Sequence, residues 1–235
     1  MFNFDKKITI PMLKRVVKTT GDGSQTLYLP EWEEHYHSVY GAFAESRHVF
    51  IQQGLERVTK RLSKIRILEV GFGTGLNALL SLDFALKNGI HLSYCALEPF
   101  PLSDEEVAKL SHPDKLPGED YRHAFHRMHQ MQSGQKELIT PYFAFVNWHH
   151  RLEDAILDSD CYDLVYHDAF APQFQPGLWD ETAFGKLFKA MRKGGLLTTY
   201  SACGSVKRAL RACGFSLEHP PGPTGKREIT VAIKQ

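Results

Sequence analysis

Hydrophobic positions along this chain fall into short runs that are separated by longer amphipathic stretches. The apolar runs at 65–70, 92–97, 142–146, 162–167 and 195–200 have the length of buried strands. The stretches between most of them are long enough for helices. Such alternation predicts a mainly parallel sheet that is covered by helices, so the fold class is α/β.

The C-terminal end departs from this alternation. The runs at 214–219 and 228–233 read as two strands with no helix between them, joined by a segment rich in proline and glycine. Two strands in this arrangement form an antiparallel pair. We therefore predict a Rossmann-like domain over residues 63–235, with seven strands that end in a terminal antiparallel hairpin.

The N-terminal end also differs, and we assign residues 1–62 to a small extension. The short alternating runs Ile8–Ile10 and Val16–Thr20, together with the glycine-containing segment Gly21–Ser24, predict a hairpin within residues 7–30. Residues 31–62 carry apolar side chains at roughly helical spacing and are predicted to be helical.

A glycine-rich turn follows the strand at 65–70. The sequence Gly71-Phe72-Gly73-Thr74-Gly75 permits positive φ and close approach of a ligand, and Glu69 stands just before it. A helix starting at Leu76 would direct free N–H groups at that ligand. The dinucleotide fingerprint needs a glycine where this chain has Leu76. The spacing therefore favours S-adenosylmethionine, whose ammonium group a carboxylate at Glu69 could bind.

Two further acids stand at the carboxyl ends of predicted strands. Glu98 lies where the fold places a ribose-binding carboxylate. Asp168 follows the strand at 162–167, near the expected reversal in strand order, where ligands of open α/β sheets bind. Asp168 is therefore the candidate for the reacting centre.

Composition narrows the classes of protein. Of the 235 residues, 43% are hydrophobic and 23% are charged, which suits one substantial core rather than disorder. The sequence shows no secretory signal or membrane-length apolar run, and we expect a cytoplasmic protein. The formal net charge of +1 means that any nucleic-acid contact must be local. The histidines form no H-E-x-x-H motif or Cys/His ladder, so we predict no metal site.

Five ordered blocks resemble the methyltransferase module of MnmC and its single-domain relative MnmD. They are Glu69–Asn77, Leu97–Leu102, Asp168–Pro172 with Trp179, Ser201–Arg208 and Gly225–Glu228, and Ser38, Gly41 and the run Ala44–Phe50 extend the resemblance. It implies a class I S-adenosylmethionine-dependent methyltransferase that acts on tRNA. The family methylates the 5-aminomethyl group of the wobble 2-thiouridine and gives 5-methylaminomethyl-2-thiouridine.

The resemblance also implies roles for individual residues. Asp168 would bind and deprotonate the attacking amine. Residues 146–148 stand where relatives commonly carry a Gly-Asp pair that meets the adenine, so Asn147 becomes the candidate for that contact. The cofactor would be held by Glu69, Gly71, Gly73, Asn77, Glu98 and Asn147. The anticodon loop would contact Lys207, Arg208, Lys226 and Arg227, and Phe170 and Trp179 would wall the base pocket.

Other interpretations remain open at this point. No FAD-binding oxidase domain follows Gln235, so the chain is expected to be the methylating half alone, with a separate enzyme supplying the aminomethyl precursor. A methyltransferase of the same fold acting on a small amine would suit the near-neutral charge. A non-catalytic interaction module is a further alternative, which the presence of Glu69, Glu98 and Asp168 argues against. A nicotinamide oxidoreductase is the last, and Leu76 argues against it because the dinucleotide fingerprint needs glycine there.

Overall fold

The structure is a computed structural model that describes residues 14–118 and 120–235. It contains two sheets. The strands are β1 (Val16–Thr19), β2 (Gln25–Leu29), β3 (Glu34–His35), β4 (Lys64–Val70), β5 (His91–Leu97), β6 (Lys136–Thr140), β7 (Phe143–Trp148), β8 (Tyr162–His167), β9 (Met191–Thr199), β10 (Phe215–Glu218) and β11 (Thr230–Lys234). The first three form a small sheet, and the other eight form the central sheet in the order β10-β11-β9-β8-β4-β5-β7-β6.

The helices follow the same chain order. A continuous helical segment over residues 42–59 consists of α1 (Ala42–Ser46), the π-helical Arg47–Leu55 and α2 (Glu56–Thr59), and it is followed by α3 (Leu76–Asn88), α4 (Asp104–Val107), α5 (Asp120–Gln130), α6 (Glu181–Ala190) and α7 (Gly204–Ala212). Short 3₁₀ turns occur at His112–Lys115 and Pro176–Leu178. Ser103 is the N-cap of helix α4 and forms a capping box with Glu106. None of the helices in the described ranges is both long and apolar enough to span a membrane.

The central sheet has the mainly parallel arrangement that the sequence predicts. Strands β7, β5, β4, β8 and β9 pair in parallel, and β11 lies antiparallel between β9 and β10. The chain reverses its direction of travel across the sheet at β4, which has β5 on one side and β8 on the other. The carboxyl ends of these two neighbours therefore meet at the usual ligand edge.

The number of strands differs from the predicted seven. Strand β6 pairs antiparallel with β7 and gives an eighth strand at the edge. It has the sequence Lys-Glu-Leu-Ile-Thr and is mostly exposed or half-buried. Charged edge strands of this kind resist pairing with other chains, and their weak apolar signal resembles that of a loop.

The N-terminal region is only partly as predicted. Strands β1 and β2 form a hairpin, whereas the run Ile8–Ile10 lies outside the described residues. The expected helix over 31–62 is wrong for 31–41. There the chain turns through Glu33, which has φ of +52°, and then adds β3 to β2. The apolar residues Trp32 and Tyr36 pack against other aromatic rings instead of against a helix face.

The helical segment 42–59 lies on the sheet and shares its core. A Cβ on Gly54 would lie 3.3 Å from the side chains of both Thr198 and Tyr166, so the helix approaches β8 and β9 closely. The ring of buried Phe50 lies 5.1 Å from that of Tyr166. One core thus joins this segment with α3 and α5 on one face of the sheet. Helices α6 and α7 cover the other face.

Truncation of Phe50 tests this docking. We expect Phe50→Ala to lower the free energy of unfolding by about 3–5 kcal/mol, because the side chain is 1% exposed and its loss leaves a cavity. Ile156→Ala is the control, since Ile156 is 99% exposed and its loss should cost less than about 0.5 kcal/mol. Urea unfolding measures both values. Equal stability of the two variants would contradict the docked position of segment 42–59.

Candidate active site at the carboxyl edge of the sheet

The glycine turn brings the ends of three parallel strands together. Gly71, Gly73 and Gly75 have φ of +92°, +50° and +74°, values that favour glycine. A Cβ on Gly71 would lie 2.5 Å from the carbonyl oxygen of Asp168, so only glycine allows the turn after β4 to touch the loop after β8. The N–H of Gly71 also donates to the carbonyl of Leu97, at 3.0 Å.

Glu98 follows β5 directly and is held by backbone donors. Its Oε2 accepts from the N–H of Gly73 at 2.8 Å, and its Oε1 accepts from the N–H of Phe100 at 2.9 Å. The residue is 9% exposed and faces the cavity at this edge. Burial raises the pKa of Glu98, although the two N–H donors oppose that shift. The carboxyl group is therefore fixed in place with acceptor capacity left for a ligand.

Asn77 ties two acids together. Its Nδ2 donates to Oε1 of Glu69 at 2.9 Å and to Oδ2 of Asp168 at 2.8 Å. Asn77 belongs to the first turn of α3, which the glycine turn orients, whereas Glu69 is on β4. Among the described residues, Oε2 of Glu69 has no hydrogen-bond partner. The amide group of Asn77 thus uses one N–H to hold Asp168 and the other to anchor itself to Glu69.

The acids at this edge carry perturbed pKa values. Burial, together with the nearby Glu45 carboxyl, raises the pKa of Asp168 to about 7. Burial chiefly, and the proximity of Asp168, hold the pKa of Glu69 well above its usual range. Negative charge is therefore costly here unless a cation neutralises it. Such a site suits a positively charged ligand.

Glu98 and Asp168 line a cavity of about 470 Å³. Aromatic rings from the N-terminal region and the loop after β8 cover part of it. The rings of Trp32 and Phe174 stack at 5.1 Å, and Tyr36 meets Phe170 edge-on at 4.8 Å. Tyr36 also packs over the glycine turn, since a Cβ on Gly73 would lie 3.1 Å from its ring. The small sheet therefore contributes directly to the site.

The structure brings about half of the predicted site residues to the cavity. The lining includes Gly71, Gly73, Glu98, Asp168, Phe170 and Lys226. Glu69 and Asn77 lie behind this lining, joined to it through Asp168. Asn147, predicted to meet the adenine, is 1% exposed on β7 and lies outside the lining. Because alternate residues of β7 face opposite sides of the sheet, Asn147 shares the buried side of Phe143 and Phe145.

Trp179 supports the loop and does not line the cavity. It is 4% exposed, its Nε1 donates to the carbonyl of Phe170 at 2.7 Å, and its ring packs 4.5 Å from that of His167. The imidazole of His167 is itself buried, with Nε2 2.8 Å from the carbonyl of Leu178. Within the described ranges, no three His, Cys, Asp or Glu side chains converge in a way that could hold a metal ion.

The basic residues divide into two groups. Lys207 pairs with Glu228 at 2.5 Å, and Arg208 and Arg227 are exposed. Lys226 differs from its predicted position at the RNA backbone, because its Nζ lies in the cavity, 2.7 Å from Oε1 of Glu45. Burial of Glu45 explains the difference, since a buried carboxylate needs a cation.

Most of the cavity-lining residues were not predicted as site residues, and three of them carry groups that matter for the chemistry. They are Tyr36, Glu45 and Tyr200. The helical interpretation of 31–62 concealed Tyr36. Glu45 belongs to the run 44–50 that carries part of the family resemblance, and this was the signal that could have found it. Tyr200 follows β9 directly, at the same sheet edge as Glu98 and Asp168.

Comparisons with known proteins agree with this geometry. A family model described as S-adenosyl-L-methionine-dependent methyltransferase matches residues 122–235. The bifunctional protein MnmC of tRNA 5-methylaminomethyl-2-thiouridine biosynthesis from Cupriavidus metallidurans is 32% identical over 88% of this chain and 32% of its own length. The MnmC protein of Magnetococcus marinus is 30% identical over 92% of this chain and 34% of its own length.

The fold is similar to that of a solved relative. The crystal structure of MnmC2 from Aquifex aeolicus matches all of this chain and 73% of that chain, with a TM-score of 0.77 at 24% identity. The chain spans about a third of the length of the curated relatives it matches. The shared part is therefore one module of those bifunctional proteins.

Replacement of Asp168 should stabilise the protein at neutral and alkaline pH. The folded-state pKa of about 7 exceeds the usual value of 3.8, so the folded state holds a proton that the unfolded state releases between these values. The free energy of unfolding attributable to Asp168 therefore falls as pH rises from about 4 to about 7. Asp168→Asn cannot ionise, so it keeps the free energy of unfolding that wild type loses at high pH. Its Tm at pH 8 should therefore exceed the wild-type Tm by roughly 2–4 °C for each kcal/mol of unfolding free energy that is kept.

The advantage of Asp168→Asn should shrink at pH 5, where Asp168 is protonated in the folded protein. Asp180→Asn is the matched control, because Asp180 caps α6 away from the cavity and Asn caps helices equally well. Thermal unfolding at pH 5 and pH 8 gives the Tm of each variant relative to that of wild type. A Tm of Asp168→Asn below that of wild type at pH 8 would contradict the raised pKa.

Proposed function

We propose that this chain, an MnmC methyltransferase-like module that takes S-adenosylmethionine as its methyl donor, methylates the 5-aminomethyl group of the wobble 2-thiouridine in tRNA. The product would be 5-methylaminomethyl-2-thiouridine, the compound in the names of its relatives. The observation that carries the proposal is Asp168, a carboxyl group with a pKa of about 7 that Asn77 fixes beside the glycine turn.

The residues of the cavity fit this cofactor. S-adenosylmethionine supplies a methyl group carried on a positively charged sulfur. Glu98 has acceptor capacity at the end of β5, where a ribose is bound in this class of fold. Gly71 and Gly73 line the cavity, so their backbone is available to the methionine part. The raised pKa values of Glu69, Glu98 and Asp168 favour a cationic ligand over a neutral one.

Asp168 has the properties of a proton acceptor for an amine. A protonated alkylamine has no lone pair, so the amine must lose a proton before its nitrogen bonds to the methyl carbon. With a pKa of about 7, Asp168 accepts protons most effectively near neutral pH. Asn77 donates to Oδ2 of Asp168, so the other oxygen, Oδ1, is the one assigned to face the acceptor and align it. Glu69 is a positioning residue here, because it acts through Asn77.

The exposed arginines suit contact with an RNA backbone. Arg208 is on α7, which begins near the carboxyl end of β9, and Arg227 is next to the cavity residue Lys226. Both therefore border the edge at which the base must enter. A wobble uridine would leave its stack to reach the cavity, with Phe170 available as an apolar contact. The aminomethyl precursor would come from a separate active site.

Asp168→Asn should nearly abolish methyl transfer while retaining cofactor binding. Loss of a general base typically costs 100-fold or more in rate. The test incubates undermodified tRNA with labelled S-adenosylmethionine and measures the wobble nucleosides by mass spectrometry, with calorimetry for cofactor affinity. Asp180→Asn should keep full activity. An unchanged rate in Asp168→Asn would refute the catalytic role.

The salt dependence of RNA binding separates tRNA from a small amine as the substrate. Arg208→Ala and Arg227→Ala should each weaken tRNA binding and reduce the slope of log K against log salt by about 0.7–1, since each removes a phosphate contact. Lys193→Ala is the control, because Lys193 is near the start of β9, at the opposite edge of the sheet. Salt-independent or unmeasurable binding of tRNA would favour a small-amine methyltransferase.

A further inference from the structure

Glu45 places a second carboxylate on the wall of the cavity. It is on α1 and only 7% exposed, and its Oε2 accepts from the N–H of Ser38 at 2.7 Å. Its Oε1 lies 2.7 Å from Nζ of Lys226 and accepts no hydrogen bond of regular geometry within the described residues. This oxygen is therefore presented to a cation, not tied into the backbone.

Tyr200 completes the surroundings of that cation. The Lys226 ammonium lies 4.0 Å from the centre of the Tyr200 ring. The ring is fixed, because the Tyr200 hydroxyl donates to the carbonyl of Ala169 at 2.9 Å. Ala169 directly follows Asp168, so the ring and the candidate proton acceptor belong to one stretch of the cavity wall.

A carboxylate together with an aromatic face is a chemical environment that binds alkylammonium groups. We propose that Glu45 and Tyr200 form the subsite for the ammonium group of the methyl acceptor, and that Lys226 occupies this subsite until the acceptor enters. The inference rests on the proposed function, which makes the acceptor a primary amine. It adds a binding site for the acceptor beside the reacting centre.

Replacement of the Lys226 ammonium by the acceptor's ammonium leaves the net charge beside Glu45 unchanged. Removal of Lys226 without replacement would leave Glu45 as a buried, unpaired carboxylate, which is costly. An entering ammonium removes that cost. The Lys226 side chain is 29% exposed and is carried by the connection between β10 and β11, so it can turn to solvent without disturbing the core.

The subsite also places the acceptor near Asp168. The charge of Glu45 raises the pKa of Asp168, and that of Lys226 lowers it, so the three groups are close enough to interact. An acceptor that binds as the ammonium at Glu45 and Tyr200 thus arrives next to the group that takes its proton. In this arrangement Glu45 binds the ammonium group, and the neighbouring Asp168 removes its proton.

Binding of a nucleoside pair tests the subsite without tRNA. The probes are 5-aminomethyluridine and 5-methyluridine, which differ by the amine, titrated calorimetrically into protein saturated with S-adenosylhomocysteine. Glu45→Gln should weaken binding of the aminomethyl probe about tenfold or more, because it removes the charge but keeps the shape. Binding of the methyl probe should not change.

Lys226→Met should have the opposite effect. Without the internal competitor, the aminomethyl probe should bind several-fold more tightly than to wild type. Lys234→Met is the matched control, since Lys234 also pairs with a carboxylate, Asp160 at 2.8 Å, beside an aromatic ring, Phe188 at 4.9 Å, but outside the cavity. It should leave the affinity for both probes unchanged.

Two results would overturn the subsite. Equal weakening by Lys226→Met and Glu45→Gln would make Lys226 itself a contact of the acceptor, and unchanged affinity in Glu45→Gln would remove Glu45 from the site. If Glu45→Gln fails to fold, the comparison of Tyr200→Leu with Tyr200→Phe replaces it. Affinity for the aminomethyl probe should fall in Tyr200→Leu, which lacks the aromatic ring, and should be kept in Tyr200→Phe. Failure of wild type to methylate tRNA, with these probe affinities intact, would instead reject the proposed function alone.

Discussion

The arrangement of this molecule depends on carboxyl groups that the fold crowds at one edge of its sheet. Asn77 bridges Glu69 and Asp168, and the backbone of the glycine turn holds Glu98. Each of these acids has a raised pKa because burial disfavours its charge. The edge is therefore stable as a neutral or cation-bound site. A sulfonium donor and an ammonium acceptor both supply the positive charge that it lacks.

The same constraint explains why the N-terminal region is joined so closely to the sheet. Segment 42–59 carries Glu45 to the cavity, and the turn before it places Tyr36 over Gly73. The buried packing of Phe50 and Gly54 on β8 and β9 sets the position of both groups. Core packing outside the cavity thus determines where Glu45 and Tyr36 lie. Changes in this core should act on substrate binding as well as on stability.

The parallel core and the acids at its edge could be predicted from the sequence, because each is a local signal. An apolar strand followed by Gly71-Phe72-Gly73 predicts its own turn, and Glu98 and Asp168 follow strands directly. Strand β6 could not be predicted, since charged edge strands lack apolar alternation. The same holds for the position of Lys226, which is set by its pairing across the fold with Glu45. Long-range electrostatic pairing leaves no periodicity in the sequence.

The charge state of the edge can be measured directly through the protons released when the cofactor binds. Calorimetric titration with S-adenosylmethionine at pH 6.5, in buffers of different ionisation enthalpy, gives that number. A sulfonium lowers the pKa of the neighbouring carboxyl groups, so we predict net proton release that is lost in Asp168→Asn. Binding without proton exchange, or no binding, would contradict the view that this edge is built to receive a cation.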